Sequence, residues 1–592
     1  MKINLKYIAG LLLVAFTSCS TPLTEEQKNS DSVLLKQTHE YTLNADGSVE
    51  YSYYHRRQYN SYMSFHRLYG ETFVVYNPNF QTLTLNKSET TMADGKKVQS
   101  PTNAFNEVLP FQAADAPAYN HLREMVITHV GLEIGAVVEL DYTLHTNAEF
   151  SSIFSEKMLL HESSPIKELE VIVRIPKGHT LNHFVVNEAE NLRFTKLTQG
   201  EFDVYRWSAQ NVRALSNEPN QVEGLGDYQT LLFSNKNLAE AVDFIKTAFA
   251  KEFVADKTFE SLLKSNDKGW ALAEAIKNHV AKNMVTYRVS PKHVGYRFRT
   301  PMQVWQSNGG NEGEKAILLN ALLKEAGFKA ELVLAGYPNF IKSEAGSPLA
   351  FDKCVVKVEY EGETRYFNST HDETAIPGSR AIVYLSNEFA ALTLEPIQKK
   401  ALKMDMSAKF ELRKDGNISG TATIFANQFE KDKGLISGIP ESAFKLEKQS
   451  EKSDSVVHKI TLTKGFTAEK AGDYLSLSLP FFAQGFSMAH IGELPTSRTT
   501  RLELPNALDE TYEFTVKLPK GFVAVIPSRS EKLENAIGSI AILYEVNGQE
   551  VKVTRKLQVN QAIIPVELYG DFRALVGIWS DKNLNKIIVK PE

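Results

Sequence analysis

The side chains with the means to do chemistry gather between residues 287 and 371. Glu312 lies in the stretch GGNEGEKAILLNALLKEAG, Gly309 to Gly327. Lys353 and Cys354 adjoin in FDKCVVKVEY, and Asn368 lies in RYFNST with His371 just beyond. A glutamate serves as general base only if a dry pocket raises its pKa, and a lysine near 10.4 is protonated and cannot be one. Neighbours on a strand face opposite ways, so if Lys353 faces a site, Cys354 faces the core, where unpaired cysteine is common. His371 could swing in as a base or be a loop histidine without a role. Upstream, YRVSPKHVGYRFRTPMQVW interleaves Arg288, Lys292, His293, Arg297 and Arg299 with Tyr287, Tyr296 and Trp305. That mix, with Arg297, Arg299 and Trp305 as candidate contacts, could grip an anionic or sugar ligand; the alternative is a solvated loop. The 14 histidines are scattered without the paired spacing of zinc sites, so no metal and no cofactor is expected.

These residues need elements to hold them. Leu319, Leu322, Leu323 and Ala326 recur at i, i+3, i+4 and i+7, one buried face of a helix. Gly327 ends it, because glycine takes the left-handed conformation of a helix stop. KAELVLA, FDKCVVKVEY and RYFNST read as strands. NLAEAVDFIKTAFAKEF and GWALAEAIKNHVAKNM, with Leu272, Ile276 and Val280, have helical spacing.

The order helix, strand, strand, strand resembles the transglutaminase-like superfamily, the papain-related cysteine enzymes. The resemblance implies a Cys at the helix start, a His on a later strand and an Asp on the next. The family's G-N-C-x-E-K-A is matched by Gly310, Asn311, Glu312, Gly313, Glu314, Lys315 and Ala316, which puts Glu312 at the nucleophile position. The segment like F-N-H followed by valines is matched from Phe351 to Val356, with Lys353 at the base position, and L-D-P-T from Phe367 to Thr370, with Asn368 at the orienting position. The scaffold is retained and the triad is degenerate. An Asn can orient an imidazole, but the loss of Cys and His removes the thiolate chemistry. The replacements keep opposite charges. Either Glu312 and Lys353 form a structural ion pair, or Glu312 merely favours the positive helix end while Lys353 points to water.

The chain has 592 residues, enough for several domains, and its net charge of −5 without a basic tract argues against nucleic acid. Residues 1–18 carry Lys2 and Lys6, then a short apolar run. With Thr17 and Ser18 before Cys19, they resemble a bacterial lipoprotein signal; an ordinary secretory signal is the alternative. Cys19 is then the lipid attachment site, and residues 19–31 read as a polar tether containing Glu25 and Glu26. Residues 32–225 alternate apolar and polar, with turns at Asn44 to Gly47, Asp94–Gly95 and Pro176 to Gly178, and predict an antiparallel β-sandwich. Tyr51, Tyr53, Tyr54 and Tyr59 could stack on a sugar or pack in the core. Residues 226–385 are the transglutaminase-like segment. Residues 390–592 are β-rich again, with turns at Lys414 to Gly416 and Asn547–Gly548, and IPVELYGDFRALVGIWSDKN reads as a terminal helix. The flanking parts resemble the DUF3857-like and DUF3858-like domains that accompany transglutaminase-like domains in Bacteroidota-type proteins. No internal repeat is legible.

The fold expected is multidomain α+β: an N-terminal β-sandwich, a papain-like or transglutaminase-like α+β domain, and a C-terminal β-sandwich. The function expected is that of an inactive envelope lipoprotein, a binding or assembly module on the periplasmic or surface side of the outer membrane, whose partner is an envelope protein or a glycan. The rivals are a cysteine-independent hydrolase or acyl transferase using Glu312 as base, and a glycan-binding surface protein.

Overall fold

Period-two alternation builds most of this molecule. The computed structural model describes residues 22–222, 224, 226–254, 257–263, 268–370, 381–385, 401–427, 434–452, 455–486 and 494–592. The signal segment, Cys19 and His371 lie outside the described residues. The first described element is a helix inside the stretch expected to be a tether. Helix α1 (Glu25–Asn29) is closed by a Thr24–Gln27 capping box. It is docked: Gln27 is 1% exposed, its amide donates to Asn211 Oδ1, and Glu26 accepts from the Ala214 N–H. A polar composition looked solvated, but its amide and carboxylate groups have partners on the following domain.

The Asn44–Gly47 turn joins β1 (Ser32–Leu43) to β2 (Val49–Tyr59), with Gly47 at φ +86°. Then come β3 (Gln81–Thr91), β4 (Lys97–Gln99), β5 (Val137–Thr146), β6 (Ile166–Pro176), β7 (Leu192–Gln199) and β8 (Phe202–Val212). They form one eight-stranded sheet in the order β7-β8-β6-β1-β2-β5-β3-β4. The sheet is not wholly antiparallel, because β1 and β6 run parallel. A three-stranded sheet of Ser155–Leu159, Asn182–Val186 and Thr230–Ser234 covers part of it. In its last strand Leu231 and Phe233 join the core containing Tyr41 and Trp207, while Leu232 joins the core of the next segment. The β-rich part therefore runs past the expected boundary at 225.

The middle segment contains α2 (Leu238–Phe249), α3 (Trp270–Asn278) and α4 (Glu312–Glu325), followed by β9 (Lys329–Gly336), β10 (Lys353–Tyr360), β11 (Glu363–Asn368) and β12 (Ala381–Tyr384). These strands pair in the order β11-β10-β9-β12, and α4 packs against β9 and β10.

The last part repeats the first. Strands β13 (Leu402–Leu412), β14 (Ile418–Asn427), β15 (Phe444–Lys452), β16 (Ser455–Leu462), β17 (Leu508–Lys517), β18 (Arg529–Glu534), β19 (Gly538–Asn547) and β20 (Glu550–Val559) form a sheet ordered β15-β16-β14-β13-β17-β20-β19-β18. In each large sheet the first strand makes a hairpin with the second and a parallel pair with a strand from much later in that part. Seven strands correspond in order and direction, β1 to β13, β2 to β14, and so on outward. The sequence carries no sign of this, since pairing order is a non-local property. Helix α5 (Tyr569–Trp579) is not terminal; β21 (Lys586–Pro591) follows and pairs with Tyr474–Ser478 and Phe522–Ala524. The Glu218 carboxylate accepts the Thr499 and Thr500 N–H groups at 2.7 and 3.0 Å, which fastens the C-terminal part to the segment after β8.

His55, on β2, and His129, just after the strand Arg123–Thr128, face each other with ring centroids 6.0 Å apart. Thr72 and Tyr53 face them through hydrogen bonds, with Arg57 and His39 nearby. Burial, then Arg57, holds His129 down at about 4. The unfolded imidazole takes a proton near pH 6.5 that the buried ring refuses, so stability is complete above that pH and falls as pH drops toward 4. By about pH 5 His129 alone should cost the native state about 2 kcal/mol. Urea unfolding at about pH 7 and pH 5 measures this, and His129→Gln should shrink the difference by about that amount while His39 and His55 keep the remainder.

Candidate functional site

The start of α4 is fixed by three glycines and one asparagine. Gly309 and Gly310 pair with Val285 and Thr286 in a short parallel ladder. A Cβ on Gly310 would lie 3.0 Å from Val304, and one on Gly313 would lie 2.8 Å from the Phe298 ring. Asn311 caps the helix: its Oδ1 accepts the Glu314 N–H at 2.9 Å, and Glu314 Oε2 accepts the Asn311 N–H at 3.1 Å. Asn311 Nδ2 donates to Tyr119 Oη at 3.0 Å, so the N-terminal part reaches the helix start.

The expected one-sided apolar stripe is too narrow. Residues Gly313 to Leu319, Leu322 and Leu323 are all buried, while Ala326 is half-buried. Glu314 and Lys315 are both 0% exposed, and each is answered. Arg299 donates to Glu314 from Nε and Nη2 at 3.1 and 2.8 Å and from its backbone N–H at 3.0 Å. Lys315 Nζ donates to Thr286 Oγ1 at 2.7 Å and to the Met284 carbonyl at 3.0 Å. Burial brings the Lys315 ammonium down to about 8, opposed by the Glu312 charge. The sequence reading assigned these two no role, although Asn311-x-x-Glu314 is the spacing of a capping box.

Glu312 sits at the first turn, where the helix dipole favours a carboxylate. Its Oε1 accepts the Cys354 N–H at 3.5 Å, and its carbonyl accepts Ser369 Oγ at 3.2 Å. One residue thus touches the start of β10 and the end of β11. Lys353 pairs across from Ala335, and Val355 across from Asn368. Alternation then sets Lys353 and Asn368 on one face of the sheet and Cys354 on the other. Asn368 is 1% exposed; its Oδ1 accepts from Thr370, and its Nδ2 has no hydrogen-bond partner among the described residues. Cys354 packs in the core under α4, and burial, then the Glu312 charge, pushes its thiol well above the usual range. It is no substitute nucleophile.

Glu312 and Lys353 line a cavity of about 360 Å³ walled by Ile245, Ala248, Phe249, Phe298, Leu334 and Phe351. They also line an adjoining open groove of about 570 Å³ with Lys282, Arg288 and Thr370.

The three expected ligand contacts do not converge. Arg299 is committed to Glu314 and lies over the Tyr119 and Tyr287 rings. Arg297 stacks 4.1 Å from the Phe80 ring and donates to the Glu149 carbonyl. Trp305 Nε1 donates to Thr258 Oγ1 at 2.9 Å. Their partners are protein groups, which a sequence cannot reveal. The tyrosines of β2 form no sugar platform either. Tyr51 stacks on Tyr41 at 4.6 Å, Tyr53 lies 5.3 Å from Tyr142, and Tyr59 is 0% exposed; Tyr54 points the other way.

Residues 45–216 match the model described as Domain of Unknown Function with solved-structure structure (DUF3857). Residues 474–589 match the one described in the same words as DUF3858. The chain carries both domains. A comparison with curated proteins returned no match. Among solved structures, the chain is similar to one described as a putative protease from Parabacteroides distasonis ATCC 8503, with 24% identity and a TM-score of 0.70. The match covers 95% of this chain and 99% of that one, and the likeness is one of fold.

Arg299→Ala should leave Glu314 as an uncompensated buried charge and cost about 3–5 kcal/mol. Urea unfolding followed by circular dichroism checks this. Arg299→Lys should recover little, because an ammonium cannot supply the same fork of donors.

Proposed function

We propose that residues 226–385 form a transglutaminase-like domain whose catalytic positions have been given up, and that its cleft binds a ligand without covalent chemistry. The observation that carries this reading is the contact of Glu312 with both strands that bear Lys353 and Asn368. Those are the neighbours that a nucleophile, a base and an orienting residue require. The scaffold holds the three positions together, while a carboxylate and an ammonium have replaced thiol and imidazole. The ionic reading of Glu312 with Lys353 belongs to this proposal: opposite charges at a helix start and a strand start preserve the pairing without the reactivity.

The fold likeness to a structure described as a putative protease supports descent from a hydrolytic scaffold. The flanking DUF3857 and DUF3858 domains are those expected beside such a core. We further propose that Cys19 carries lipid and holds the chain to the envelope, as a binding or assembly module for an envelope protein. The docked helix α1 supports a short leash, with only residues 19–24 between lipid and domain.

The test restores the chemistry. In Glu312→Cys combined with Lys353→His, iodoacetamide should alkylate position 312 with an apparent thiol pKa below about 7, as an imidazolium pair and a helix start dictate. Peptide mapping by mass spectrometry separates this from Cys354 and Cys19. A thiol at 312 titrating near the unperturbed value of about 8.5 would remove the reading.

A further inference from the structure

The two cavities that meet at Glu312 differ in character. Their four common residues, Thr286, Arg288, Glu312 and Lys353, are all polar. Behind this junction the 360 Å³ cavity is mainly aliphatic and aromatic, with α2 supplying Ile245, Ala248 and Phe249. Its volume falls within the range of small-ligand pockets and suits one ring or a short acyl chain. In front of the junction the groove carries three cations, Lys282, Arg288 and Lys353, against one carboxylate, Glu312. Arg288 and Lys282 are exposed. Among the described residues neither makes a hydrogen bond or an ion pair, whereas Arg297, Arg299, Lys292 and Lys315 nearby all do. An arginine fork left open at the mouth of an apolar cavity is a receptor for a carboxylate carried on an apolar group.

We propose that this site binds an amphipathic carboxylate: an apolar acyl or aryl group filling the cavity behind Glu312, with its carboxylate on Arg288 in the groove. Both a free medium-chain fatty acid and a peptide C-terminus ending in an apolar residue present that chemistry. A carboxylate head balances the excess of positive charge, and the apolar part leaves water for a cavity walled by hydrocarbon. At the junction Glu312 repels the ligand carboxylate and turns it outward toward Arg288. The inference rests on reading the cleft as a non-covalent site, and it names the ligand class.

Isothermal titration of the full chain with decanoate and with N-acetyl-Ala-Phe tests it, each against its uncharged partner, decanol or the peptide amide. At least one carboxylate should bind, about tenfold or more tighter than its uncharged partner. Arg288→Gln, a surface change, should weaken it by about tenfold. Ala248→Phe should fill the cavity and abolish binding with thermal unfolding unchanged; should that variant not fold, Arg288→Gln decides alone. Which of the two carboxylates binds identifies the source. Equal affinity for charged and uncharged partners, or no effect of Arg288→Gln, overturns the proposal. Turnover of a bound ligand would instead sink the non-covalent reading and leave the ligand class standing.

Discussion

The buried carboxylate of Glu314, held by the Arg299 fork, is the interaction on which the site depends. It is fully buried and takes three hydrogen bonds from one arginine and a fourth from the Asn311 N–H. A charge so enclosed leaves the helix start no second arrangement of comparable energy, because any shift would break several charge-assisted bonds at once. Glu312, two residues before it, inherits that rigidity. So does the cavity, since the same pair keeps Arg299 off its mouth and leaves Arg288 as the arginine that faces solvent there.

The rest of the molecule is arranged about this point. Two eight-stranded sheets of matching topology flank the helical segment. A turn at Pro117–Tyr119 of the N-terminal part lends Tyr119 to the cap of α4, and the three-stranded sheet lends Leu232 to the core beneath α2. The C-terminal part is fastened through Glu218, and again where Asp227 accepts the Arg501 N–H at 3.0 Å. The N-terminal part is therefore a wall of the middle segment, and the C-terminal part is bound to the stretch that joins those two.

How far this was legible in the sequence depends on range. Turns are local chemistry, and those at Asn44 to Gly47, Asp94–Gly95 and Asn547–Gly548 produced the hairpins expected of them. The helix behind Gly310 was equally plain from its leucines. The parallel pairs β1–β6 and β13–β17 join residues more than a hundred positions apart, and no local pattern encodes them. Composition misled at residues 25–29, where polar residues are docked, and at Arg299, where a cation that looked like a ligand contact serves a buried acid. In both cases the deciding partner lies in a distant part of the chain or of the fold, and the side-chain type alone says only that some partner is needed.

On the reading proposed above, the cleft has an enzyme's layout without its reagents. Cys354 lies close by, yet burial pushes its thiol up, and Lys353 lines the cavity beside Glu312. The layout serves recognition as readily as catalysis, because orienting a ligand needs the same rigid walls. The most direct measurement is hydrolysis of a short-chain acyl ester by the natural full chain beside Glu312→Gln. The account predicts the same unsaturable background rate for both. Saturable turnover that falls about a hundredfold in Glu312→Gln would mean the carboxylate is a working base, and would contradict it.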